Sequence, residues 1–300
     1  MWKKILVVTD FSPNSLKVIP PALAVARRFG GSIHLCHVDE EEQALSAHSS
    51  DELVEFLETV EARRTAWLEN LANQVREADI ECEVVRLKGW ASKEILRYTE
   101  EADIDLLAIS ALGAQGFKAL LMGSTSTNVL RNCTRPILFV SAHCHPAEDF
   151  DIANVLYPTD FSEISVAGAR DAARLCKETG AKLELFHVLK VPTYIPALPG
   201  EPPLVMPPRL LQSMDSGFDA IQEDVADLLP EDRIGYEIAT SQDEADAICN
   251  GAVAKKSDLI LITRRGQGVL DGLLFGRVAE NVARLSPVPV ILFEPETEAE

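Results

Sequence analysis

The sequence predicts an α/β protein of two tandem, doubly wound domains, each a five-stranded parallel sheet in the order 3-2-1-4-5. Three observations lead there. Strand-length apolar runs alternate with stretches of helical periodicity, the pattern of a parallel sheet covered by helices on both faces. The pattern occurs twice, with matching residues at a nearly constant offset. The 300 residues suffice for two hydrophobic cores of ordinary size.

The first copy reads as follows. Residues 4–9 are apolar and rich in β-branched side chains, so they form a buried first strand. Ser12-Pro13 starts a helix, with Ser as N-cap and Pro in the first turn, where its missing N–H costs little. Leu16, Ile19, Leu23 and Ala26 supply its apolar stripe, and Gly30-Gly31 stops it. Residues 32–38 are the second strand. A long helix runs from about Asp51 to Ala78, with Leu53, Phe56, Leu57, Val60, Trp67, Leu71 and Val75 near helical spacing. Strand 81–87, a short helix near 92–101, strand 105–109, a glycine loop, helix 123–132 and strand 136–140 complete the unit.

The second copy opens with Thr159-Asp160-Phe161-Ser162, 150 residues after Thr9-Asp10-Phe11-Ser12. The same offset pairs Gly30 with Gly180 and His37-Val38 with His187-Val188. Later the offset is 153 and pairs Gly113 with Gly266, Gly123 with Gly276 and Pro136 with Pro289. The domains are therefore placed at 1–145 and 150–295. A proline-rich insertion over 191–208 is specific to the second copy and cannot be helix or central strand. It is read as a surface excursion, a lid over the second cleft or an oligomer contact.

Composition narrows the function. A net charge of −19 argues against a nucleic-acid binder, which needs a basic surface. No apolar run spans a membrane, and the first residues lack a signal-peptide pattern, so a cytoplasmic protein is expected. Six scattered cysteines without a Cys-x-x-Cys pair fit reduced thiols.

In open α/β sheets a ligand sits beyond the carboxyl ends of the strands, where strand order reverses. Here that is between strands one and four. Strand one ends at Thr9-Asp10; strand four ends at Ser110 and enters Ala111-Leu112-Gly113-Ala114-Gln115-Gly116. The next helix opens with Gly123-Ser124-Thr125-Ser126. Glycines let phosphate oxygens approach the backbone, and a helix N-terminus offers N–H groups and a positive dipole end. Ser124, Thr125 and Ser126 add hydroxyl donors. Asp10 could accept from a ribose hydroxyl or an adenine amino group; it could equally cap the first helix or hold the turn to Ser12. Neither Gly-x-x-x-x-Gly-Lys-Ser/Thr nor Gly-x-Gly-x-x-Gly after the first strand is present.

On these features the chain resembles the universal stress protein family in its tandem form. The resemblance rests on the Thr-Asp-Phe-Ser openings, the His-Val strand ends, the glycine loop and the Pro-led final strands, and it covers almost the whole chain. It implies Rossmann-like domains similar to the adenine nucleotide alpha hydrolase-like fold. ATP-binding members of the family carry Gly-x2-Gly-x9-Gly-Ser/Thr. The first copy keeps that spacing as Ser110-x2-Gly113-x9-Gly123-Ser124, with Ser for the first Gly. The resemblance implies that Asp10 and the Val38 backbone hold the adenosine part. Ser110 and Gly113 would line the phosphate path, and Gly123, Ser124, Thr125 and Ser126 would meet the phosphates. ATP, AMP or ADP would be the ligand, with Mg²⁺ held through the phosphates.

The second copy keeps the spacing but not the chemistry: Thr263-x2-Gly266-x9-Gly276-Arg277. With Asp160 and Val188 these residues outline a weaker second site. Arg277 would either fill the phosphate position or bind an anion itself. The resemblance further implies a sensor or regulator of the stress response rather than an enzyme, with slow ATP hydrolysis at most. It implies an intrachain pseudo-dimer paired through strands 136–140 and 289–293, further association into a homodimer, and an unidentified regulatory protein partner. The alternative is a non-nucleotide interaction module or small apolar-ligand binder with vestigial clefts. His143-Cys144-His145, in the linker, lacks an evident fourth metal ligand, so no metal site is expected. His34, Cys36 and His37 are read as core packing and strand-end hydrogen bonding.

Overall fold

The computed structural model describes residues 1–40, 51–111, 113, 122–190, 208–266 and 275–295. The chain divides into two units, Met1–Phe150 and Asp151–Glu300. In the first, β1 (Lys4–Val8) buries Ile5, Leu6 and Val7 almost completely, as a central parallel strand covered on both faces must. Each such side chain contributes roughly 1.5–3 kcal/mol by leaving water.

The remaining elements are α1 (Pro13–Leu16), α2 (Ile19–Phe29), β2 (Ser32–Asp39), α3 (Asp51–Glu77), β3 (Cys82–Lys88), α4 (Ala91–Glu101), β4 (Leu106–Ser110), α5 (Ser124–Asn132) and β5 (Ile137–Val140). The strand order is β3-β2-β1-β4-β5, all pairings parallel. The sheet grows one way from β1 to β3 and the other way from β4 to β5. Right-handed crossovers therefore put α2 and α3 on one face and α4 and α5 on the other. The order reverses between β1 and β4, the predicted position.

The second unit repeats this with β6 (Asn154–Pro158), α6 (Glu163–Thr179), β7 (Lys182–Lys190), α7 (Pro208–Val225), β8 (Ile234–Ser241), α8 (Glu244–Ala254), β9 (Leu259–Thr263), α9 (Arg277–Leu285) and β10 (Val290–Phe293). Its strands lie in the order β10-β9-β6-β7-β8, the same arrangement.

One element departs from expectation. The first helix is not continuous from Ser12 to Gly30 but breaks at Lys17-Val18 into α1 and α2. Pro20 and Pro21 lack the N–H groups that would bond the carbonyls of Leu16 and Lys17, and a helix running into them loses both bonds. Restarting at Ile19 puts Pro20 in the first turn, where no partner is needed. The second unit tests this explanation. Arg170 and Asp171 occupy the corresponding places, and α6 runs unbroken for 17 residues. Both expected punctuation marks are present: Ser12 Oγ accepts from Ser15 N, and Gly30 ends α2 in the left-handed conformation at φ 59°. The linker is more ordered than its sequence suggested. Ser141 Oγ accepts from the backbone N–H groups of His143 and Cys144, and Cys144 is buried. Residues 191–207 of the proline-rich insertion, and Leu112 and 114–116 of the glycine loop, lie outside the described residues.

Candidate functional site

The site is built where β1 ends. Thr9 is anchored to β2 by its N–H, which donates to the Cys36 carbonyl at 2.9 Å. The chain then turns sharply: Phe11 sits at φ 67°, in the left-handed region that a bulky aromatic residue avoids. Such a residue costs about 1–3 kcal/mol and persists only where its surroundings enforce it. Here Phe11 N donates to Thr9 Oγ1 at 3.0 Å, and Thr9 Oγ1 shares a proton with Ser15 Oγ at 3.0 Å. Ser15 Oγ also accepts from Asp10 N at 3.3 Å and donates to Ser12 O at 2.9 Å. The Phe11 ring lies 4.2 Å from the His37 imidazole and 5.0 Å from the Trp67 ring on α3.

This elbow presents Asp10, which is exposed. Its Oδ1 accepts from Ser12 N at 3.0 Å, so the carboxylate does hold the turn. Its other oxygen lies against Gly113: a Cβ there would fall inside 3.0 Å of Oδ2. A side chain at position 113 would push this carboxylate aside. The register Val8↔Cys36 carries Val38, at the end of β2 and 9% exposed, level with Asp10.

On the other side of the reversal, β4 ends at buried Ser110. Ala111 N donates to Val140 O at 2.8 Å, and Ala111 O accepts from Gly123 N at 2.8 Å, which closes the loop onto the strand. Gly123 is the N-cap of α5 and brings no capping oxygen, so the first-turn N–H groups remain for other acceptors. Ser124 is exposed and Thr125 half-buried in that turn. Ser126 differs from its expected role. It is buried, and its hydroxyl donates to Ser110 O at 2.7 Å, so it staples helix to strand rather than offering its proton to a phosphate.

His37 is where the sequence placed it, packed in the core with a hydrogen bond at the strand end, while Thr9 and Ser15 join it at the elbow without having been singled out. His37 is buried, and its Nδ1 meets Thr9 O at 2.8 Å. Burial pushes its pKa below the ordinary value, against the opposing pull of the Thr9 carbonyl and Asp39. Asp39 lies 3.4 Å from His37 Nε2 and 2.5 Å from the Arg86 guanidinium. Burial works to raise Asp39, but Arg86 outweighs it and holds the carboxyl below its usual range. The signal was in the repeat: His37 and His187 each follow the Thr of Thr-Asp-Phe-Ser by 28 residues.

The second unit copies the elbow closely. Phe161 has φ 58°, Asp160 Oδ1 accepts from Ser162 N at 3.0 Å, and His187 Nδ1 meets Thr159 O at 2.8 Å. A Cβ at Gly266 would again collide with Asp160 Oδ2. Val188 is half-buried at the end of β7. The other end diverges. Thr263 replaces Ser110 and turns its hydroxyl to Arg265 O at 2.8 Å. Arg264, 2% exposed, stands where the first unit has Ala111, and its carbonyl accepts from Gly276 N at 2.7 Å. Arg277 is exposed at the first position of α9, in place of Ser124. Ala279 replaces Ser126, so the staple is missing.

Elsewhere, a shallow depression of about 520 Å³ lies at the amino-terminal ends of the strands, lined by Lys3, Lys4, Arg27, Asp79 and Glu81 among others. It mixes both charges and is remote from the strand reversal. Among the described residues no group of three or more His, Cys, Asp or Glu could hold a metal, and His143, Cys144 and His145 belong to none. Among them, too, no helix is long and apolar enough to cross a membrane.

Comparison with known proteins gives one consistent result. The model of the universal stress protein family matches residues 1–141 and again 152–294. Universal stress protein MJ0531 of Methanocaldococcus jannaschii is 27% identical over 142 residues, covering 47% of this chain and 82% of that protein. Universal stress protein YxiE of Bacillus subtilis is 26% identical over 150 residues, 47% of this chain and 99% of its own length. The crystal structure of a universal stress protein from Archaeoglobus fulgidus superposes with a TM-score of 0.68 at 23% identity, covering 99% of this chain and 97% of that one.

Proposed function

This chain belongs to the universal stress protein family in both halves, and on that premise we propose that its first half binds ATP or a related adenine nucleotide as a sensor in the stress response. The observation that carries the reading is the pairing of Asp10 against Gly113 with the uncapped start of α5, across the strand reversal. Asp10 and the Val38 backbone take the ribose and adenine. Gly113 and Ser110 keep the phosphate path open and free of bulk, and the N–H groups of Ser124 and Thr125 meet the phosphates. Mg²⁺ comes with the phosphates, whose charge it offsets. The protein acts by binding; the sequence has no Gly-x-x-x-x-Gly-Lys-Ser/Thr motif of the fast nucleotide hydrolases, so turnover is slow at most.

Calorimetric titration with ATP and Mg²⁺ tests this. Absence of binding at millimolar nucleotide would remove the reading. Gly123→Val should abolish binding while the fold survives. Among the described residues a Cβ there meets nothing closer than Ala111 O at 3.6 Å, so the β-carbon itself is accommodated, and cooperative unfolding of the variant checks the fold.

The second half is read differently because its phosphate end is occupied by arginines. Arg277 replaces a hydroxyl with a long guanidinium, and Thr263 narrows the path that Ser110 leaves open. ATP should therefore bind with a stoichiometry of one per chain. Two equivalent sites per chain would show that the substitutions do not matter.

A further inference from the structure

We propose that His37 is a positioning residue for Asp10: by donating its Nδ1–H to the Thr9 carbonyl, it holds the left-handed elbow that turns the Asp10 carboxylate toward Gly113. The inference deepens the nucleotide reading and rests on it. The Thr9 carbonyl can only accept, so the imidazole proton sits on Nδ1. The ring is then fixed on three sides. Nδ1 is on Thr9 O at 2.8 Å, one face carries the Phe11 ring at 4.2 Å, and Nε2 looks toward Asp39 at 3.4 Å. Two of the residues His37 touches, Thr9 and Phe11, lie on either side of Asp10. Fixing both fixes the direction in which Asp10 leaves the chain.

The second unit isolates the part that matters. There Leu189 stands in place of Asp39, so the carboxylate beside Nε2 is gone. The Nδ1 contact to Thr159 O remains at 2.8 Å, and Phe161 still lies 4.6 Å from the His187 ring. Phe161 keeps its positive φ, and Asp160 keeps its place against Gly266. The donated proton and the tilted ring contact are thus common to both elbows; the Asp39–Arg86 pair is not.

An asparagine places an amide N–H where Nδ1 stands, whereas glutamine carries its amide one bond further out, near Nε2. ATP affinity of His37→Asn, His37→Gln and His37→Leu, each checked for cooperative unfolding, separates positioning from packing. Asn should stay within about three-fold of the unsubstituted protein, and Gln and Leu should bind at least ten-fold more weakly. Equal affinity for all, or Asn as weak as Leu, would overturn the proposal. A ligand-free crystal structure of His37→Gln reads the elbow directly. Phe11 should leave φ near 67° and Asp10 should leave Gly113; an unchanged elbow overturns the proposal whatever the nucleotide data. If the unsubstituted protein binds no ATP, the nucleotide reading falls, and that crystal structure still decides the role of His37.

Discussion

Gly113→Ala is the sharpest perturbation the structure offers. The new Cβ would lie inside 3.0 Å of Asp10 Oδ2 and 3.3 Å from its Cγ. Asp10 is short, so the carboxylate can retreat only by rotating, and rotation breaks the bond from Ser12 N to Oδ1. A hydrogen bond to a charged group is worth roughly 1.5–3 kcal/mol. Asp10 is exposed, so water replaces most of it, and the stability cost should stay near ~1 kcal/mol, a melting shift of about 2–4 °C for a unit of this size. Nothing replaces the displaced contact to a bound nucleotide, and affinity for ATP should fall about 10- to 150-fold. The assay is calorimetric titration of Gly113→Ala, Asp10→Ala and the double variant. If the glycine acts through the aspartate, the double variant binds no more weakly than Asp10→Ala. Additive losses would show that the new methyl group obstructs the phosphates directly. Wild-type affinity in Gly113→Ala would refute the placement of Asp10 in the site.

Three further predictions follow from other parts of the structure. A Cβ at Gly168 would lie 2.7 Å from Thr263 Cγ2 and closer still to Tyr157 Oη. Gly168→Ala should therefore cost roughly 1–3 kcal/mol in denaturant unfolding, and Tyr157→Phe should recover part of it in a double-mutant cycle, coupling that independent sites would not show. His37 has a folded-state pKa below its unfolded value of about 6.5, so between those two values the unfolded chain binds more protons and stability rises with pH. Acidification from pH 7.5 to 5 should cost the protein more stability than it costs His37→Asn; a constant difference would contradict a neutral buried imidazole. Finally, all six cysteines are buried, with burial pushing Cys36, Cys144, Cys176 and Cys249 up to about 12 and Cys82 to about 11. A thiol-specific reagent at pH 8 should label the native chain slowly and all six thiols after unfolding, and rapid labelling of any native thiol would contradict its burial.

Much of the fold was legible because it depends on local rules. Alternating apolar runs gave the strands, Ser12 and Gly30 gave the helix ends, and the offset repeat carried each reading to the second half. The break at Lys17-Val18 was legible in principle from Pro20 and Pro21, but the apolar stripe of Leu16, Ile19, Leu23 and Ala26 runs straight across it. The site was legible as a set of residues at a strand reversal, and less so as geometry. Ser126 reads as one hydroxyl in a run of three, and only the packing of α5 on β4 turns it to Ser110 O. The contact of Gly113 with Asp10 joins residues more than a hundred positions apart. The positive φ of Phe11 has no signature in its side chain; it exists because Thr9, Ser15 and His37 converge from three elements.

The staple between Ser126 and Ser110 has a dynamic consequence. In the first unit, lifting the opening turn of α5 away from β4 breaks two bonds, the hydroxyl bond and Gly123 N to Ala111 O. In the second, Ala279 has no hydroxyl to make the corresponding bond, while Gly276 N to Arg264 O is kept. A buried hydrogen bond contributes about 0.5–1.5 kcal/mol net, so the turn at Gly276 opens with a free energy lower by about that amount. Amide protons at the start of α9 should exchange with solvent several-fold faster than those at the start of α5. Two matching elbows thus face helix starts that differ by one bond: one start is pinned to its strand by a side chain, and the other lacks that pin.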